Sequence, residues 1–244
     1  MPFLLFLIVA GVAAYFFFQT PVGKGVIGEW IVRFFIGKTR EKPGREQFVV
    51  NDVILQTEDG KTAQIDHILI NSRGVFVIET KNYSGRIYGH ENQLQWTQVL
   101  AYGKVKNKVY NPVKQNATHI YRLKETVGVK TPFYSMIVFV KGNTKWVESD
   151  KVVDLYGIKR FILSKPNHSL AVDEMRRIYD ILVKVKHNKG VTKKEHVQNI
   201  NKMLNGIDNN ICPRCGGSLV VRKSQKGDFM GCYNYPKCKF TKKV

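Results

Sequence analysis

The sequence predicts an α/β fold with a small metal-binding module near its C-terminal end. Between Val26 and Val140 the segments alternate as helix, three strands, helix and strand, the order of a layered α/β domain. The stretch Val75–Ile78 is apolar at every position, as expected of a central strand covered on both faces. All four cysteines fall between Cys212 and Cys238, in two close pairs, which sets that end apart as a separate module.

Val26–Ile36 (VIGEWIVRFFI) has apolar residues at helical spacing, with Glu29 and Arg33 one turn apart, after a linker expected at Pro21 and Gly23–Gly25. Phe48–Gln56 reads as a strand, followed by a turn at Glu58-Asp59-Gly60. Gln64–Asn71 and Val75–Lys81 form a hairpin across Ser72-Arg73-Gly74. A loop-rich segment is expected around Gly85, Gly89 and Trp96. Pro112 opens a helix over Val113–Val127, Phe133–Val140 is a further buried strand, and Val152–Tyr156 an edge strand. Val172–Lys186 and Lys193–Asn205 have the pattern of helices with charged outer faces.

The chain of 244 residues carries 39 Lys and Arg against 19 Asp and Glu, a formal charge of +20. From Lys184 onward, 14 basic residues face three acids. Such a surplus favours polyanionic partners, nucleic acid or an anionic membrane face. Pro2–Phe18 is a run of 17 residues without a charge. At about 1.5 Å per residue it approaches the thickness of a hydrocarbon core. No basic residue precedes it, as one would in a signal peptide, and Lys24, Arg33, Lys38, Arg40, Lys42 and Arg45 follow it. The expectation is a single-pass anchor over residues 1–20, with the body of the protein cytoplasmic; a signal peptide and a buried core helix are the alternatives. A cysteine-free chain before Cys212 agrees with a reducing compartment.

The chemistry concentrates in Gln64–Lys81 (QIDHILINSRGVFVIETK). Alternation along a strand projects Glu79 and Lys81 from one face, and the hairpin brings Asp66 beside them. Two hard carboxylates suit Mg²⁺ or Mn²⁺, with the Thr80 carbonyl as a further oxygen ligand. The Lys81 ammonium is suited to orient a water and to offset charge on a phosphorane. Glu29 on the first helix is a candidate for the same site. On these residues alone, a solvated Glu-x-Lys pair at a strand end competes with the catalytic reading. His67 points to the opposite face of its strand from Asp66, and His119, one turn after Gln115, could face the site, with packing as the favoured reading.

The stretches GEW at Gly28–Trp30, QIDHILIN at Gln64–Asn71, GVFVIETKN with YSGRIYG at Gly74–Gly89, Trp96 in QLQW, and NPVKQNATHI at Asn111–Ile120 resemble, in that order, the nuclease-related domain, NERD. NERD is related to the PD-(D/E)XK nucleases. The resemblance implies a restriction-endonuclease-like core, a central mixed sheet flanked by helices. It also implies a catalytic set of Glu29, Asp66, Glu79 and Lys81, with Gln115 as a supporting polar residue. Ile65 stands where the wider superfamily has proline. The expected domains are an anchor at 1–20, a nuclease-like domain at 24–165, a helical basic connector at 166–208 and a ribbon at 209–244.

Cys212-x2-Cys215 and Cys232-x5-Cys238 supply four thiolates suited to tetrahedral, structural Zn²⁺. The carrying residues CPRCGGSLVVRKSQKGDFMGC and YPKC resemble the four-cysteine zinc finger of bacterial type I DNA topoisomerases, which implies binding of single-stranded DNA. The module's own residues fit that partner. Phe229, Tyr233, Tyr235 and Phe240 alternate with Arg222, Lys223, Lys226, Lys237 and Lys239, offering stacking surfaces beside phosphate contacts, with packing of some of the aromatics in the module's own core as the alternative. The expected whole is a membrane-anchored, Mg²⁺-dependent nuclease acting on DNA. An inactive DNA tether and a lipid-bound scaffold are the alternatives.

Overall fold

The computed structural model describes residues 15–56, 62–128, 130–187, 205–224 and 227–243. The larger unit is a seven-stranded mixed sheet between two layers of helices. Its elements are α1 (Pro21–Ile36), β1 (Gln47–Gln56), β2 (Thr62–Asn71), β3 (Gly74–His90), β4 (Gln95–Leu100), β5 (Val105–Tyr110), α2 (Pro112–Val127), β6 (Phe133–Glu148), β7 (Val152–Asp154), α3 (Gly157–Ser164) and α4 (Val172–His187). Strands β1 to β5 form an antiparallel path, while β6 runs parallel to β3 on its other edge and β7 parallel to β6. The parallel β3–β6 step is reached through α2, the crossover that such a connection needs.

β3 is the axis of the sheet. Its first residues, Gly74–Ile78, pair with β2, and Arg86–Tyr88 pair with β4. The expected loop around Gly85, Gly89 and Trp96 is therefore strand, a correction with a physical cause. Gly85 takes a left-handed φ of 80° where the ladder shifts register, so this glycine serves a bulge and not a turn. Gly89 seats the buried Trp96 ring, to which a Cβ would come within 2.3 Å. Gly89→Ala is expected to cost about 1–3 kcal/mol by overpacking, measured by denaturant unfolding.

One face of the sheet is covered by α1 and α3 through Val32, Ile36, Ile158 and Phe161, against Leu69, Phe76, Ile78 and Met136. The other is covered by α2 and α4 through Leu123, Val127, Met175, Ile178 and Leu182. Helix α4 thus belongs to the core of the main domain, where the sequence suggested a connector from residue 166. Its charged outer face hid an inner stripe that fills the sheet. The expected helix at 193–205 lies almost wholly outside the described residues, as do residues 1–14 of the expected anchor. Among the described residues no helix is long and apolar enough to cross a membrane. The linker expected at Pro21–Gly25 is instead the first turns of α1.

Helix α2 is fixed at its start by Asn111, whose Oδ1 accepts from the Val113 N–H at 2.9 Å and whose Nδ2 donates to the Gln93 carbonyl at 2.7 Å. Buried Asn116 then ties it to the sheet, donating to the Val77 carbonyl at 2.8 Å and to Ser135 Oγ at 2.9 Å. The ribbon, three short strands β8 (Leu219–Arg222), β9 (Phe229–Cys232) and β10 (Thr241–Lys243), is docked on the same helix. Lys114 Nζ donates to the Thr241 carbonyl at 2.6 Å, Arg122 donates to the Pro213 carbonyl at 3.3 Å, and Leu94 packs on the ribbon's core.

Candidate functional site

Between its pairings with β2 and β4, β3 leaves an edge unpaired from Glu79 to Gly85. Register with β2 ends at His67 and Ile78, so the two strands part where Asp66 and Glu79 would face each other. The Asp66 carboxylate occupies the gap, accepting the Thr80 N–H at 2.7 Å. A strand residue's amide and carbonyl share an edge, so the Thr80 carbonyl faces the same opening. Glu79 and Lys81 project to the α2 side, where Lys81 Nζ donates to Glu79 Oε1 at 2.5 Å and to Gln115 Oε1 at 3.0 Å. The Glu79 Oε2 atom is buried without a hydrogen bond and meets the His119 imidazole Nε2 at 3.3 Å.

The electrostatics separate the two acids. Burial pushes Glu79 up, but the Lys81 ammonium and His119 overcome it and hold its carboxyl at about 2. Asp66 moves the opposite way, raised well above the usual range first by burial and then by the Glu79 charge. Lys81 is likewise opposed by burial, yet Glu79 holds it raised and fully charged. The half-buried Glu29 side chain lies close enough to add its charge to the field at Asp66. Its helix reaches β3 because Gly28 leaves room: a Cβ there would meet Asn82 Cβ at 3.1 Å. Asn82 donates to the Lys24 carbonyl at 2.6 Å and pins α1 in place.

Asp66, Glu79, Lys81 and Gln115 therefore gather at the open edge of β3, with Glu29 near enough for its charge to reach Asp66. His119, for which packing was favoured, takes the alternative that its spacing of four from Gln115 offered and touches Glu79. His67 faces away, as expected, with its ring Nδ1 2.7 Å from Asn51 Oδ1. Burial and then Arg33 lower it from an ordinary 6.5 to about 4. The folded state thus keeps His67 neutral, and its contribution to stability is full above pH 6.5 and lost as pH falls toward 4. Asp66 titrates in the opposite sense, so the clean comparison is with His67→Leu. The wild type's stability relative to that variant is expected to fall by about 2 kcal/mol between pH 7.5 and 5, read by denaturant unfolding.

In the ribbon the four cysteine sulfurs lie within 4.8 Å of one another and none is in a disulfide. Tetrahedral Zn–S bonds of about 2.3 Å place sulfurs roughly 3.8 Å apart, so the cage fits zinc. The Cys215 and Cys232 sulfurs are 3.3 Å apart and those of Cys212 and Cys238 3.6 Å. The hydrogen bond between Cys212 and Cys238 pushes the first thiol up and brings the second down to about 5. Burial raises the Cys232 thiol to about 11 as well, so holding these sulfurs as thiolates calls for a cation among them.

The expected DNA-contact residues divide. Tyr233, Tyr235, Lys223, Lys237 and Lys239 are exposed, and Phe229 is half-buried. Phe240 is 1% exposed in the ribbon's core, beneath Lys114 and Arg214, so it holds the module together and does not stack on bases. Arg222 is partly spent internally, donating to the Cys232 carbonyl at 3.2 Å and lying over the Tyr235 ring. Lys226 lies outside the described residues. The buried docking residues Lys114 and Arg122 carried no sequence signal, since each looks like an ordinary charge on an amphipathic helix.

The nuclease-related domain family matches residues 24–140, and the topoisomerase DNA binding C4 zinc finger matches residues 209–244. An uncharacterised protein of Bacillus anthracis is 35% identical over 185 residues, covering 74% of this chain and 85% of that protein. An uncharacterised protein of Methanocaldococcus jannaschii is 43% identical over 56 residues, 21% of this chain and 19% of its own. DNA topoisomerase 1 of Helicobacter pylori is 54% identical over 33 residues, 14% of this chain and 4% of the topoisomerase. No solved structure matches. With a relative aligned across most of both chains and both family motifs placed on the fold, the protein belongs to the nuclease-related domain (NERD) family and ends in a topoisomerase-type C4 zinc ribbon.

Proposed function

We propose that this protein is a divalent-metal-dependent nuclease, held at a membrane by its N-terminal apolar run, that hydrolyses phosphodiester bonds in DNA bound by its zinc ribbon. The observation that carries the reading is the convergence of Asp66, Glu79, Lys81 and Gln115 on the one unpaired edge of the central strand. The donor set fits Mg²⁺ or Mn²⁺: the Asp66 and Glu79 carboxylates and the outward-facing Thr80 carbonyl are all hard oxygen. Asp66 and Glu79 would hold the ion, with Glu29 at its margin.

A bound ion supplies Lewis-acid charge at the phosphate and acidifies a water. The chain's residues do the rest. Glu79 is ionised in advance by Lys81 and His119, and a nearby cation would oppose the burial that raises Asp66 and favour its ionised form. Lys81 presents a charged ammonium beside the scissile position, where it orients the attacking water and stabilises charge gathering on the phosphorus oxygens. Gln115, accepting from Lys81 Nζ, fixes the direction of that ammonium. The uncharged stretch 2–18 followed by basic residues supports an anchor with the body on the cytoplasmic side.

The test is cleavage of plasmid and single-stranded DNA by the full chain, with and without Mg²⁺ or Mn²⁺, beside Asp66→Asn. Metal-dependent cutting by the wild type that the variant lacks is the expected result. Binding without cutting in every condition would leave a DNA tether and sink the nuclease reading.

A further inference from the structure

Helix α1 carries an apolar stripe that nothing among the described residues covers. Its inner face is buried through Gly28, Val32 and Ile36. Its outer face presents Val22, Val26, Trp30 and Phe34, spaced by four and between 50% and 77% exposed. Soluble domains rarely leave such a contiguous row of large side chains in water. The stripe also continues past the helix start, for Tyr15–Phe18 are helical and exposed as well.

The joint between the two helical pieces is tight. Thr20 Oγ1 donates to the Phe17 carbonyl at 2.6 Å and accepts from the Gly23 N–H at 3.0 Å. Gly23 approaches so closely that a Cβ would stand 2.2 Å from that carbonyl. The end of the apolar run is thus coupled to α1 by a hydrogen-bonded elbow with no slack. Around the stripe, residues 21–45 hold six basic side chains and two acids, and one of the acids, Glu41, is taken by Arg176 at 2.7 Å.

We propose that the outer face of α1 lies in the interface of an anionic lipid bilayer, with Trp30 and Phe34 among the acyl chains and the flanking Lys and Arg at the headgroups. Aromatic side chains and basic flanks are the composition that this interface selects. A second copy of the chain is a poorer occupant, because two equally basic rims would be brought together. The inference rests on the membrane part of the proposed function and adds an orientation to it. The helix that carries Glu29 and is pinned to Asn82 would set the nuclease site about one helix diameter, roughly 10 Å, from the headgroups.

The experiment uses the full chain in vesicles of phosphatidylcholine and phosphatidylglycerol, with bromine at a shallow acyl position. Tryptophan emission is compared with Trp30→Phe, which keeps Trp96 and Trp146 as internal references. The expected result is bromine quenching in the wild type that falls at least twofold in Trp30→Phe. Val26→Glu with Phe34→Glu is expected to reduce the quenching similarly while the protein still floats with the vesicles. Flotation with no Trp30-dependent quenching would overturn the inference alone, leaving the face covered by another copy or by residues 1–14. Failure to float at all would overturn the anchor together with it.

Discussion

Lys81→Met is expected to lower phosphodiester cleavage by about 10²–10³-fold, the range for removing one group aimed at transition-state charge. The same change leaves Glu79 buried, ionised and without its 2.5 Å partner, which alone is expected to cost about 3–5 kcal/mol of stability. A loss of activity in that variant would therefore be ambiguous by itself. Glu79→Gln combined with Lys81→Met removes both charges from the pocket and is expected to recover much of the stability while remaining inactive. Measuring unfolding and cleavage on the single and double variants separates chemistry from folding. Activity that returned with stability in the double variant would mean the pair is structural.

Removing zinc, by chelation or Cys212→Ser, is expected to unfold the ribbon, because structural zinc supplies the folding free energy of such modules. The consequence should extend into the nuclease-related domain. Lys114, which burial lowers to about 8, and Arg122 would lose the Thr241 and Pro213 carbonyls they now satisfy. Each lost hydrogen bond from a buried charged donor costs about 1–3 kcal/mol. The transition of the main domain should accordingly fall by roughly 5–15 °C. DNA affinity and its decline with salt should weaken together. An unchanged transition would mean that the ribbon is a passive appendage and that α2 does not join it to the site.

The candidate site was legible because its placement follows from local rules. Strand alternation alone puts Glu79 and Lys81 on one face and turns His67 away from Asp66, and the cysteine spacing alone gives the zinc cage. What could not be read depends on partners far along the chain. Gly85 and Gly89 suggest loops until Trp96 and the β3 bulge explain them. Phe240 looks like a stacking surface until it is found under Lys114 and Arg214, and the inner stripe of α4 gives no sign of the sheet it covers. The gap that makes the site, where β2 leaves β3 before β4 joins it, is a property of the whole sheet and is written in no single segment.

The most direct test of the account is where a divalent ion sits. In crystals of the protein soaked with Mn²⁺, the anomalous signal should place one ion in contact with carboxylate oxygens of both Asp66 and Glu79, and Asp66→Asn should abolish it. A signal elsewhere, or none, with Lys81 still closing on Glu79, would contradict the proposed metal-dependent site.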